Sequence, residues 1–243
     1  MTAPRPEVAL IVSRHSGRPH PARRVSAACR VALRDEYSVG LTLAADAALA
    51  QRVSLSAEGP LAGPGESLQI TLGEGPCVQA MRQHLPLLVD DIDVLDETSQ
   101  WPVFARRARE HGIRAVYALP VQGGSASVQQ AGLVLTLYRD RSGPLSRTDL
   151  EAARHHAAAV DLLLLSAPAP SAQIPGYAWL LPAHAVIHQA VGVIAYRHSV
   201  PMGEALARLR SHALALDSPL PSLAHAVVHE DLDLPEPPGP HRP

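Results

Sequence analysis

Lysine is missing from this chain: all 21 cationic side chains among its 243 residues are arginine. With alanine and proline abundant, that reads as a GC-rich coding bias and not as a functional signature. Cysteine is scarce as well. Cys29 and Cys77 are the only two, too few and too far apart to suggest a disulfide scaffold or a zinc site, and their rarity fits a reducing cytoplasm. Long apolar runs are also lacking. The run before Ser13 spans only about six residues, short of the ~7–15 of a signal-peptide core, and no segment approaches the ~20 needed to cross a bilayer. A soluble cytoplasmic protein is expected. Charge of one sign does not accumulate. The formal net charge is −2 without long like-sign blocks, so nothing advertises an electrostatic nucleic-acid binder or a membrane-surface protein. Enzyme motifs are missing too: there is no G-x-S-x-G elbow, Walker loop or H-E-x-x-H, and GGSAS at residues 123–127 has no partner residues. No catalytic role is expected.

What the chain does have is 47% hydrophobic residues, enough for one large domain or two modest ones. Residues 1–20 carry Pro, Arg, His and Gly around a weak strand-like run at 8–12 and are expected to form a flexible extension. Residues 22–34 predict a helix, with Val25, Ala28, Cys29, Ala32 and Leu33 on its apolar stripe and Cys29 therefore in the core. Strand-like runs at 39–43 and 51–56 are spaced to pair as a hairpin. Gly73-Glu74-Gly75-Pro76 marks a turn before a helix over 77–83. A brief strand at 87–89 and an acidic connector lead into a helix containing Trp101, Phe104, Ala105 and Ala108. Residues 114–121 and 131–138 are the two best strands. Ala115, Tyr117 and Leu119 alternate on one, Leu133, Leu135 and Leu137 on the other, and the turn formers between them predict an antiparallel connection. Ser146-x-x-Asp149 then opens a long helix ending near Leu165, whose last four leucines need cover.

At Ser166 the composition shifts to APAPSAQIPGYAW, the punctuation of a linker over 167–180. Three short amphipathic helices follow within 181–231. Their stripes are Ile187, Ala190, Val191 and Ile194; then Ala205, Leu206, Leu209, Ala213 and Leu216; then Leu220, Leu223, Ala224 and Val227. Pro201 and Pro219 suit first helical turns, and Asp217 and Ser218 are candidate caps. Residues 232–243 are expected to be a disordered tail. The fold class is α+β: an antiparallel sheet with flanking helices over 21–166, then a three-helix module.

Three local features invite chemistry. Asp90, Asp91, Asp93, Asp96 and Glu97 offer several carboxylates to a hard cation, but EF-hand spacing is absent and a solvated loop is the expectation. His155 and His156 point about 100° apart on a helix and cannot easily share a metal, which predicts surface residues. Cys77 starts a helix, where the dipole could lower its pKa, but a buried structural thiol is the expectation. No metal and no cofactor is expected.

Two resemblances organise these elements. LGEGPC at 72–77, Trp101-Pro102, RAVYALPV at 114–121 and GLVLTLYR at 132–139 followed by GPLS make residues 21–166 resemble a GAF domain. That resemblance implies a sensor binding a small molecule between sheet and helices; the ligand varies among GAF domains and is unknown here. I-x-Q-A-x-G at 187–192, E-A-L-x-R-L-R at 204–210 and L-x-x-L-A-x-x-V-V at 220–228 make residues 181–231 resemble an ANTAR domain. That implies binding to paired RNA hairpins in nascent transcripts and prevention of transcription termination. Together they imply an actinobacterial-type antitermination regulator acting as a homodimer.

The helical module departs from the ANTAR pattern in charge. His184 and Val191 stand where relatives often carry basic residues, as do Ser218 and Pro219. Arg197, Arg208 and Arg210 face Glu204, Asp217, Glu230 and Asp231 over residues 176–231, so the module is not basic and has few groups for phosphate. Six histidines, His184, His188, His198, His212, His225 and His229, would add positive charge if protonated. The candidate RNA-binding residues are His184, His188, Tyr196, Arg197, Arg208 and Arg210, with Tyr196 either stacking on a loop base or capping the helical core. Two other functions stay open: a dimerisation or protein-interaction regulator with a degenerate ANTAR module, and a small-molecule or redox sensor centred on Cys77.

Overall fold

The computed structural model describes residues 4–44, 52–95, 100–121, 132–166 and 185–234. The chain divides into two compact units, residues 1–179 and 180–243. The first is an α+β unit around a five-stranded antiparallel sheet. Its strands are β1 (Ser38–Ala44), β2 (Arg52–Glu58), β3 (Leu87–Val89), β4 (Ala115–Val121) and β5 (Gly132–Arg139), in the order β2-β1-β5-β4-β3. The expected hairpin of β1 and β2 forms, with a register shift between Leu41 and Thr42, and β4 pairs antiparallel with β5.

Alternation along the strands gives the sheet two unlike faces. Val39, Leu41, Leu43, Tyr117, Leu119, Leu133, Leu135 and Leu137 form the greasy one, all buried. It is covered by α2 (Pro21–Ala32) and α6 (Arg147–Ser166). Val25, Cys29 and Leu33 are buried as their spacing predicts, and Cys29 is a core residue. The Ser146 hydroxyl accepts the Asp149 N–H at 3.1 Å and so caps α6, a contact worth about 1 kcal/mol. At the other end of α6, Leu163 and Leu164 are buried while Leu162 and Leu165 are exposed. The opposite face of the sheet is small and partly polar: Gly40, Thr42, Ala44, Ala118, Val134, Thr136 and Tyr138. It is covered by α3 (Ala62–Leu72) and α4 (Pro76–Gln83), with α5 (Pro102–Glu110) against α3.

Residues 6–15 correct an expectation. They form a helix, α1 (Pro6–His15), packed on α6 and α2, not a flexible extension with a strand-like run. Val8 is buried and Ile11, Val12 and His15 are half-buried, a stripe at i, i+3, i+4 and i+7. β-branched residues disfavour helix only weakly, and a packed apolar face overrides that preference. Pro6 and Glu7 at the start and Arg14 and His15 at the end complement the helix termini.

The second unit is three helices: α7 (Ala185–His198), α8 (Met202–Ala215) and α9 (Leu220–His229). Ile187, Ala190, Val191 and Ile194 are buried, with Ala205, Leu209, Ala213, Leu220, Leu223, Ala224 and Val227. Leu216 departs from its expected stripe. It is exposed because α8 ends at Ala215. The tail expectation also needs correction at its start: Leu234 is buried, so residues 231–234 fold back on the helices. The linker at 167–180 and the tail beyond 234 lie outside the described residues. No helix among the described residues is long and apolar enough to cross a membrane.

Candidate functional site

The polar face of the sheet holds a buried network centred on Glu66 of α3. Its carboxylate is shut away from solvent and accepts two hydrogen bonds, one from the Thr42 hydroxyl of β1 and one, at 2.6 Å, from the Tyr138 hydroxyl of β5. Tyr138 in turn accepts from Gln69 Nε2 at 2.8 Å, and Gln69 Oε1 accepts the Cys77 N–H at 2.7 Å. Glu66 and Gln69 lie one turn apart on α3, so both reach the sheet. Arg52 at the start of β2, buried as well, donates to the Ile70 carbonyl at 3.4 Å. Glycines make the room. A methyl group on Gly40 would overlap Glu66 Oε1, one on Gly65 would overlap the Tyr138 ring, and one on Gly75 would come within 2.7 Å of Gln69 Oε1.

Burial pushes the Glu66 carboxyl up to about 7, against the lowering effect of the Thr42 and Tyr138 hydrogen bonds. Burial likewise raises the Tyr138 phenol, with the Glu66 charge adding to it. Desolvation disfavours an isolated buried charge. The arrangement therefore holds a carboxyl poised to change charge near neutral pH, wired by hydrogen bonds from β1 through β5 and α3 to the start of α4.

The GEGPC segment builds the far end of that wire. Gly73 ends α3 in the left-handed region at φ 72°, where only glycine is unstrained. The Glu74 carboxylate accepts the Phe104 N–H at 2.8 Å, capping α5 across 30 residues. Gly75 has φ 120°, and Pro76 opens α4 where its missing N–H costs nothing. Cys77 then offers Gln69 an N–H that has no partner within α4.

Cys77 is buried and its thiol is pushed well above the usual range by burial, with Glu66 adding to it. This is the buried structural thiol expected from the sequence, and the helix terminus is spent on Gln69. Cys29 is raised to about 12 by burial. The acidic connector has structural uses: the Asp91 carboxylate accepts the Asp93 N–H at 2.9 Å. Asp93 pairs with Arg109 at 3.1 Å and Arg114 at 3.6 Å, while Arg109 also reaches the Ile92 carbonyl; Asp96 and Glu97 lie outside the described residues. His156 corrects the surface expectation. It is buried, bonds the Ala152 carbonyl at 2.8 Å, and its pKa is lowered by burial. No cluster of metal-ligating side chains occurs among the described residues.

Sequence reasoning missed Glu66 because α3 reads as a loop. Its segment, AGPGESLQITL, buries Gly65, Glu66 and Gln69 as well as Ile70, so no apolar periodicity betrays it. The available signal was the run of small and polar residues Gly40, Thr42 and Ala44 on a strand buried along its whole length.

In the helical unit the proposed nucleic-acid residues separate. His184 lies outside the described residues. His188 is half-buried on α7. Tyr196 is 87% exposed on the last turn of α7 and caps no core. Arg197, beside it, is ion-paired to Asp231 and donates to the Leu232 carbonyl at 3.3 Å. Arg208 is held by Glu204 at 2.6 Å, one turn away on α8. Arg210 is half-buried on α8. Tyr196 and Arg197 are neighbours; Arg208 and Arg210 belong to another helix. His198 adds a group to the first pair, with Nε2 at 2.9 Å from Asp233.

No family model matches the sequence, and no curated protein matches it. Among solved structures, the chain is similar to a domain of a two-component sensor histidine kinase protein from Sinorhizobium meliloti, at 18% identity and TM-score 0.41 over 55% of this chain and 81% of that one. It is also similar to an N-acylhomoserine lactone-dependent LuxR-family transcription factor from Burkholderia cenocepacia, at 18% identity and TM-score 0.44 over 70% of this chain and 95% of that one. Likenesses at this level carry no argument about function.

Proposed function

We propose that this chain is a non-enzymatic regulator whose N-terminal unit senses a signal and whose helical unit binds RNA hairpins, acting in transcription antitermination. The observation that carries the RNA reading is the end of α7. Its inward face is the helical core, and its last turn presents Tyr196, 87% exposed, next to Arg197 and His198. An exposed aromatic ring beside a guanidinium and an imidazole N–H is what a splayed loop base and its phosphates require. The sensing reading rests on Glu66: a buried carboxyl that accepts from two hydroxyls changes its hydrogen bonding when it gains a proton or meets a new donor. Two copies joined through the exposed Leu162 and Leu165 of α6 would supply two helical units to a two-hairpin RNA, so that the second contact gains from the first.

The test is a gel shift of the full chain with a two-hairpin RNA against a single-hairpin control at fixed salt, at pH 6 and pH 7.5. Retardation of the two-hairpin RNA at micromolar protein, stronger than that of the control, is expected. No retardation at either pH sinks the reading. A protein-interaction role is favoured by a separate observation, the neutralisation of Arg197 and Arg208 by carboxylates, and a pull-down recovering protein but no RNA would support it.

A further inference from the structure

The groups best placed to meet RNA are occupied by the chain itself. After α9 the backbone turns: Asp231 takes the left-handed conformation at φ 56°, and the Leu232 N–H returns to the Ala226 carbonyl at 3.2 Å. The segment that follows alternates acid and apolar residues. Asp231 pairs with the Arg197 guanidinium, the Leu232 carbonyl accepts from the same guanidinium, and Asp233 meets His198 Nε2 at 2.9 Å. Leu234, only 2% exposed, anchors the segment's end. Carboxylates thus occupy both the Arg197 guanidinium and the His198 imidazole at the end of α7, where phosphate oxygens would bind.

We propose that residues 231–234 are an autoinhibitory acidic strap, which competes with nucleic-acid phosphate for Arg197 and His198 and must leave before the helical unit binds RNA at full strength. This rests on the RNA-binding reading of the same surface. The strap is suited to exchange. Its acids are solvent-exposed, 88% for the Asp231 side chain and 64% for that of Asp233, and exposed ion pairs are individually weak. A polyanion gains in addition from releasing its condensed counterions, which the strap does not. Burial of Leu234 keeps the strap near its site between binding events.

The experiment measures binding of a fluorescently labelled two-hairpin RNA to the full chain across a salt series. It compares wild type, the D231N/D233N variant, and D231N/D233N combined with R197Q. Both asparagines keep Leu234 and the backbone turn, and circular dichroism checks the helices. The strap predicts that D231N/D233N binds roughly tenfold more tightly, with the dependence of log K on log salt steepened by about one, and that R197Q removes most of that gain. Equal binding by wild type and D231N/D233N overturns the strap while leaving RNA binding intact. A gain that survives R197Q overturns it as well, since it would reflect net charge alone. No binding by any variant overturns the RNA reading and the strap with it.

Discussion

Replacing Gly40 with alanine is expected to destabilise the N-terminal unit by about 3 kcal/mol, lowering its melting temperature by roughly 5–10 °C. The added methyl would lie where the Glu66 carboxyl and its Cγ now sit. Glu66 is enclosed between α3 and the sheet, so it cannot swing into solvent; it would have to break its bonds to Thr42 and Tyr138. Those hydroxyls would then be buried without their acceptor, and a buried unpaired polar group costs about 1–3 kcal/mol. Gly63→Ala is the control. It adds the same methyl at a helical position that meets no atom within 4 Å, so it should be neutral or slightly stabilising. The check is amide hydrogen exchange in β1 and β5, which reports on this unit alone. Exchange in G40A as slow as in wild type would mean that the network is not packed as described.

The second large effect is on pH. Glu66 has an ordinary value of 4.5 and rises to about 7 in the folded chain. The folded state therefore holds this proton more tightly than the unfolded state does. In the window between those values the unfolded chain binds fewer protons, so stability falls as pH rises, and above about 7 the loss is complete. At about 1.36 kcal/mol per pH unit the loss is roughly 3 kcal/mol. Glu66→Gln keeps the shape and one acceptor oxygen, and the Thr42 hydroxyl can rotate to accept from its amide. The stability of wild type relative to E66Q should therefore decline by about that amount between pH 4 and pH 8. Asp161, raised to about 6 by burial, acts in the same direction at lower pH. His156, lowered by burial, acts oppositely, its neutral form being favoured and stability lost as pH falls. Both cancel in the difference between the two proteins. A pH-independent difference would contradict the poised carboxyl.

How much could be read from the residues follows from which faces are apolar. The stripe Ile187, Ala190, Val191 and Ile194 is buried residue for residue, because a small three-helix unit has no other way to form a core. The leucines of β5 and the alternation of Ala115, Tyr117 and Leu119 were legible for the same reason. α3 was not, since its buried face mixes Gly65, Glu66, Gln69 and Thr71 with Ala62 and Ile70, and pattern reading assigns such a mixture to a turn. α1 was hidden by its β-branched run and by the prolines and arginines around it. The strap was hidden differently. DLDL between a helix and a proline-rich tail has the composition of a solvated end, and only the positions of Arg197 and His198 opposite it show what the two aspartates meet. The chemistry of both candidate sites thus lies in pairings between distant segments: Glu66 with Tyr138, and Arg197 with Asp231.

If the helical unit binds RNA as proposed, the exposed end of α7 is where the contact lies. Two-hairpin RNA carrying 4-thiouridine in its loops, bound to the full chain and irradiated, tests it most directly when the adducts are mapped by mass spectrometry. Adducts on the peptide containing Tyr196, lost in Tyr196→Ala together with roughly tenfold in affinity, are the predicted result. Adducts confined to residues 4–166, with unchanged binding by Tyr196→Ala, would contradict it.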